Sequence, residues 1–169
     1  MEIGNDISSI TETLPTHIFT PDHPSGIRPE KYVSFQLGET TYAIQATIVA
    51  EVSQQLPITP LPGTPPFLLG ISPLRGEILA ILDLRAMLCE KPLKSASPKA
   101  KEIVLKRATA GATPIAFAVD RLGEIATIAI SDIRPMPDSN EILIGEAVSE
   151  TNTLKVIDHR KLFSSIDPK

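Results

Sequence analysis

Ile81-Leu82-Asp83-Leu84-Arg85 returns 75 residues downstream as Val156-Ile157-Asp158-His159-Arg160. Working outward in the same register, Leu88 falls on Phe163 and Leu68-Leu69-Gly70 on Leu143-Ile144-Gly145. Further upstream, Ile58-Thr59-Pro60-Leu61-Pro62 falls on Ile133-Arg134-Pro135-Met136-Pro137. Beyond these the offset becomes 73, with Glu51-Val52 on Glu124-Ile125 and Ala43-Ile44 on Ala116-Phe117, so a two-residue length difference lies between Val52 and Ile58. Matches held in register over this length mark an internal duplication. The copies run from about 31 to 95 and from about 101 to 165. A unit of roughly 60 residues buries too little surface to be relied on to fold alone, so the two copies are expected to pack together.

Each copy reads as strands. Tyr32, Ser34 and Gln36 alternate with Val33, Phe35 and Leu37. Gly38-Glu39 then signals a turn and Thr41-Tyr42-Ala43-Ile44 resumes the pattern, the signature of a β-hairpin. Short apolar runs follow at Ile78–Leu82, Ile103–Leu105, Ile115–Val119, Ile125–Ile130, Ile142–Ile144 and Leu154–Ile157. Their spacing suggests an all-β sandwich or barrel. Residues Ala46–Val52 suit either a strand or one or two helical turns. Asp83 and Asp158 stand where N-caps of short helices belong. Sixteen prolines in 169 residues disfavour a helical bundle.

Charge is distributed unevenly. Residues 1–30 hold Glu2, Asp6, Glu12, Asp22 and Glu30 against Arg28 alone, a balance of −4, and the remaining residues balance to zero. With Pro15, Pro21, Pro24 and Pro29, this stretch reads as a flexible acidic tail, either a solvated leader or a partner-docking arm, and folding is expected to begin near Lys31. A net charge of −4 argues against a nucleic-acid-binding surface. The longest apolar run is five residues, so no membrane-spanning segment is expected. No secretory leader is evident, and a single cysteine, Cys89, permits no internal disulfide, which fits a cytoplasmic protein.

The duplication also sorts the candidate functional residues. Asp83 with Asp158, Arg85 with Arg160 and Glu51 with Glu124 occur in both copies, as expected of caps and strand-end ion pairs. Leu74-Arg75-Gly76 has no counterpart, since the second copy carries Ser149-Glu150-Thr151 there. Gly76 is expected to supply a backbone angle that a side chain disfavours, and Arg75 to be the one cation on a mostly apolar loop presented by two strands. Such an arginine is either a solvent-facing turn residue or a partner contact, and presentation by two rigid strands favours the partner contact. No catalytic constellation, metal-ligand cluster, phosphate loop or nucleophile elbow is recognisable, and no cofactor is implied.

Taken together, Tyr32-Val-Ser-Phe-Gln-Leu-Gly-Glu39, Tyr42-Ala-Ile44, Val49-Ala-Glu51-Val52, Pro60-Leu-Pro62, the stretch from Gly70 through Arg75-Gly76 to Asp83-Leu-Arg85, and Ala118-Val-Asp-Arg-Leu-Gly-Glu124 resemble the CheW adaptor family of bacterial chemosensory systems. The order and spacing of these segments over residues 31–163 carry the resemblance. It implies two five-stranded SH3-like β-barrels packed side by side, with short helices, over residues 31–169. It also implies a non-enzymatic scaffold that couples the cytoplasmic tips of methyl-accepting chemoreceptors to the regulatory domain of a CheA-type histidine kinase in a two-component pathway. By position, the family's partner-binding residues fall on Val49, Glu51, Gly70, Leu74, Arg75 and Gly76. The family carries Asn before Leu-Arg-Gly, where this chain has Pro73, which lacks a backbone donor.

Two other readings fit the same chain. A CheW-like antagonist would bind one partner and block assembly. A small β-barrel ligand-binding module would present aromatics on a basic face, whereas aromatics here are 4% and the folded part carries no net charge.

Overall fold

A computed structural model describes residues 28–91, 99–137, 139–150 and 152–166. The stretch read above as a tail therefore lies outside the described residues except for its last three, as does most of the segment joining the two copies. Ten strands are described: β1 (Glu30–Leu37), β2 (Thr40–Gln45), β3 (Val49–Gln54), β4 (Leu68–Leu74), β5 (Glu77–Leu82), β6 (Lys101–Leu105), β7 (Ile115–Val119), β8 (Arg121–Ile128), β9 (Leu143–Val148) and β10 (Thr153–Ile157). Two short helices, α1 (Leu84–Met87) and α2 (His159–Ile166), follow β5 and β10.

The duplication is visible element by element. Adding 73 to β2 and β3 gives β7 and β8, and adding 75 to β4, β5 and α1 gives β9, β10 and α2. The sheets, however, do not follow the copies. One has the order β8-β1-β2-β10-β9 and the other β3-β6-β7-β5-β4, so the first hairpin of each copy sits with three strands of the other. The exchange is reciprocal, and both parallel pairings, β2 with β10 and β5 with β7, join different copies. A copy alone would leave hairpin edges with unpaired N–H and C=O groups. The pairing thus supplies the packing of copies that the small size of the unit demands.

The repeated motifs have backbone reasons. Thr59 and Ile71 exchange two main-chain hydrogen bonds of 2.8 and 2.9 Å, and Arg134 and Glu146 do the same at 2.7 and 2.8 Å. Each Ile-x-Pro-x-Pro segment is thereby laid across β4 or β9. A Cβ on Gly70 would come within 2.2 Å of the Thr59 carbonyl oxygen, and one on Gly145 within 2.1 Å of that of Arg134. Only glycine admits this approach, and Gly70 also has a φ of 149°. Gly70→Ala is expected to cost about 1–3 kcal/mol, read as a lowered urea midpoint, because the clash is with the Thr59 backbone, which its two hydrogen bonds to Ile71 hold in place. The Asp83 carboxylate accepts from the Ala86 N–H at 3.2 Å, and Asp158 accepts from Arg160 and Lys161 N–H at 3.0 and 3.3 Å, so both aspartates cap as their position predicts.

β4 is absent from the apolar runs read in the sequence, where Gly70-Ile-Ser-Pro73 before Leu74-Arg75-Gly76 is rich in turn-formers. Residues 68–74 form a strand, and the loop shrinks to Arg75-Gly76. Gly70 and Pro73 look like strand breakers, yet β4 lies at the end of its sheet, where a missing N–H donor is tolerated. The ambiguous Ala46–Val52 segment divides into a 3₁₀ turn, Ala46–Ile48, and the start of β3.

Three clusters make the core. The largest joins the two sheets, with Phe35, Leu37, Tyr42 and Ile44 from one against Leu82, Ile103, Leu105 and Phe117 from the other. The interior of the first barrel holds Tyr32, Ala43, Ala126, Ile128, Ile133, Ala147, Leu154 and Val156. In the second, Leu79, Ile81, Val104 and Ala116 are buried in the same role, with the partly buried Leu56 and Leu74 packed against them.

Candidate functional site

Leu74 pairs with Glu77, leaving a two-residue turn in which Arg75 has φ 53° and Gly76 φ 79°. Two positive values in succession are the pattern of a type I′ hairpin turn, for which Asn-Gly or Gly-Gly would be the relaxed choice. An arginine in this region carries a penalty of about 1–2 kcal/mol. A strained residue at an exposed tip points to a role for its side chain.

The Arg75 Nε lies 3.2 Å from the Glu51 carboxylate. Glu51 belongs to β3 at one end of the sheet and Arg75 to the β4–β5 turn at the other, so this ion pair spans the two ends and shows the sheet curling into a barrel. The Arg75 side chain is 77% exposed and that of Glu51 31%. So exposed a pair adds little stability, at most about 1 kcal/mol. It aims the guanidinium and leaves most of its donors turned to solvent.

Beside the tip, Glu77 is bound by Arg107, whose other guanidinium nitrogen donates to the Ala112 carbonyl at 2.7 Å. Pro73 pairs with Ile78 on the exposed face of the hairpin, and Ile78 is 52% exposed. The tip thus combines two arginines, two carboxylates and an apolar step. Arg107 and Ile78 were not identified from the sequence. Ile78 opens an apolar run and reads as core, and its outward facing follows only from the register with Pro73.

The six residues named from the sequence do not all gather here. Glu51, Leu74, Arg75 and Gly76 do, with Leu74 packed on the inner cluster of the second barrel. Val49 does not share a face with Glu51. Between them β3 shifts register, so that Val49 pairs with Leu105 of the inter-barrel core while Glu51 pairs with Val104 of the barrel interior. One extra residue in a strand turns the following side chains to the other face. Gly70 lies buried near the far end of β4, under Thr59, and shapes the strand that carries the tip.

Away from the tip, a concavity of about 400 Å³ is lined by Phe67 and Met87 of the first copy and Asn140, Ile142 and Ser165 of the second. Asn140 closes part of it by donating to the Met87 carbonyl at 2.7 Å. No cluster of three metal-ligating side chains occurs among the described residues.

Residues 31–167 match the family model of the CheW-like domain. The chain belongs to that family. The CheW chemotaxis protein of Rhizobium meliloti is 30% identical over 106 residues, 63% of this chain and 66% of that protein, just under two thirds of its length. The CheW of Treponema pallidum is 29% identical over 151 residues, 84% of this chain and 88% of that one. Among solved structures, the scaffolding protein TtCheW from Thermoanaerobacter tengcongensis superimposes with a TM-score of 0.68 at 27% identity, covering 76% of this chain and 88% of that one. The all-β, double five-stranded fold agrees with the CheW family, and the exchanged hairpins are how this CheW-like chain builds it.

Proposed function

We propose that this chain is a non-enzymatic chemosensory adaptor that couples the cytoplasmic tips of methyl-accepting receptors to the regulatory domain of a CheA-type histidine kinase. The observation that carries this reading is the strained Arg75 tip, held by Glu51 and present in only one of the two copies. Membership of the CheW-like family supports it, as do the names of its relatives. Mechanistically, a polar anchor beside exposed apolar side chains is the composition of an interface hot spot and its surround. The cleft between the copies offers a second, separate surface for the other partner that an adaptor requires. Weak individual contacts suffice where many adaptors and receptors are arrayed together. Signal passes as a shift in the relative stability of assemblies with the kinase on and off, with no chemistry in this chain. No helix among the described residues is long and apolar enough to cross a membrane. The adaptor reading places the protein in the cytoplasm, reaching the membrane through its receptors.

Calorimetric titration against a CheA-type regulatory domain and, separately, a soluble receptor-tip fragment from the same source tests this. Arg75→Ala is expected to weaken one of the two partnerships about tenfold or more, the effect of losing a hot-spot arginine. Unchanged affinity for both partners removes the tip from the function. Wild-type binding to only one of them replaces the coupler with an insulator.

A further inference from the structure

The two barrels are built alike but filled differently. Tyr32 pairs with Gln45 and Glu102 pairs with Ala118, and residues 45 and 118 are equivalent at the 73-residue offset, so Glu102 stands in the second barrel where Tyr32 stands in the first. At the 75-residue offset Ser72 likewise replaces Ala147. Glu102 and Ser72 are both 0% exposed, and neither the carboxylate oxygens nor the hydroxyl has a hydrogen-bond partner. Both lie on the inner face of their sheet. Ser72 pairs with Leu79, and Glu102 sits two residues before Val104, and both of these neighbours belong to the interior cluster.

We propose that the second barrel is a proton-controlled element, closed while Glu102 carries its proton and loosened when it ionises. An unpaired carboxylate inside a barrel cannot be held charged without a large desolvation cost, so burial favours its neutral form. Burial accordingly pushes its pKa up from the ordinary 4.5, and the nearby Leu56 main-chain N–H, which does not meet hydrogen-bond geometry, offsets part of this. The charged groups on the surrounding elements are few. β3 carries Glu51, held by Arg75, and β5 carries Glu77, held by Arg107. On β6, Lys101 donates from its Nζ to Gln54 at 2.7 Å. β4 and β7 carry none, and no charged side chain contributes to the shift. With four buried apolar residues and the partly buried Leu56 and Leu74, against eight buried and Ile144 in the first barrel, the second has less to hold it closed.

The sign follows from linkage. In the unfolded chain Glu102 ionises near its ordinary value, whereas in the folded chain it keeps its proton to higher pH. The unfolded state therefore binds fewer protons between those two values, and stability falls as pH rises across that window. The stability is fully present below the ordinary carboxyl range and lost by the time the pH passes Glu102's raised value, above which the curve is flat.

Thermal melts of the full chain from about pH 4 to pH 9 are expected to show a decline in Tm with rising pH, beginning at the ordinary carboxyl range, that Glu102→Gln abolishes. Amide hydrogen exchange at the upper end should be about tenfold faster in β3 and β6 of the wild type than of the variant, with β1 and β2 alike in both. Identical pH dependence in the two proteins overturns the proposal. Should the variant not fold, infrared spectroscopy of the wild type decides. A protonated-carboxyl stretch persisting above the ordinary carboxyl range supports the proposal, and its loss together with the exposed carboxylates overturns it, since Glu102 is the one buried carboxylate among the described residues. Because β3 and β4 bear the Glu51–Arg75 tip, loosening this barrel would also weaken partner binding. That consequence rests on the adaptor reading, whereas the melts and exchange need no partner.

Discussion

Truncating Phe117 to alanine is expected to destabilise the protein by about 3–5 kcal/mol and to do so for both barrels at once. Phe117 is 0% exposed on β7, and its ring meets that of Phe35 on β1 at 5.4 Å in a tilted arrangement, with Phe35 in turn stacked on Tyr42 at 6.0 Å. Phe35 and Tyr42 belong to one sheet and Phe117 to the other, so the cavity opens in the core that the two sheets share. The reciprocal exchange of hairpins gives the same result by another route. Each sheet draws hydrogen bonds from both copies, so neither copy can come apart without opening both barrels. Urea unfolding followed by circular dichroism and by methyl resonances in each barrel should therefore give one coincident transition at a lowered midpoint. A variant in which the first barrel's resonances keep the wild-type midpoint would show instead that the barrels are independent.

What the sequence makes legible here is whatever the backbone must do twice. The Ile-x-Pro-x-Pro segments, the Leu-x-Gly pairs and the capping aspartates recur because each copy must lay a segment over a glycine and start a short helix at the same place. The exchange of hairpins is not legible in this way. A period of two announces a strand without naming its neighbour, and the pairing of β2 with β10 is settled only when the chain closes. β4 is hidden for a local reason, since Gly70 and Pro73 each lower strand propensity and only the Thr59 contact and the edge position explain their presence. At the candidate site, the absence of Arg75 from the second copy singled it out, and its contact with Glu51 unites two residues 24 apart in the chain. The opposed facing of Val49 and Glu51 depends on a bulge that no residue pattern announces. Glu102 is the least visible, because Lys101-Glu102 before Ile103 reads as the solvated start of an apolar run, yet the carboxylate is buried.

Arg85 illustrates where the comparison of copies reaches its limit, and it yields the second large effect. It recurs as Arg160 and so reads as structural in both copies, but the two arginines have different surroundings. Arg160 is exposed, whereas Arg85 is 9% exposed and its guanidinium grips the Asp120 carboxylate. Asp120 also accepts the Gly38 N–H at 2.7 Å, and its own N–H donates to the Gln36 carbonyl at 2.9 Å. The ion pair therefore ties α1 to the β1–β2 turn and to the junction of β7 and β8. In the first copy the residue equivalent to Asp120 at the 73-residue offset is Thr47, which offers no carboxylate. Removing either partner strands a charge in a poorly hydrated site, so Asp120→Ala and Arg85→Met are each expected to lose about 3 kcal/mol or more. The double variant removes both charges together and should lose clearly less than the sum of the two, the excess measuring the coupling. Urea midpoints for the four proteins of this cycle give the answer. Single losses under about 1 kcal/mol, or losses that simply add, would mean that water reaches the pair and that the turn is held by its backbone hydrogen bonds instead.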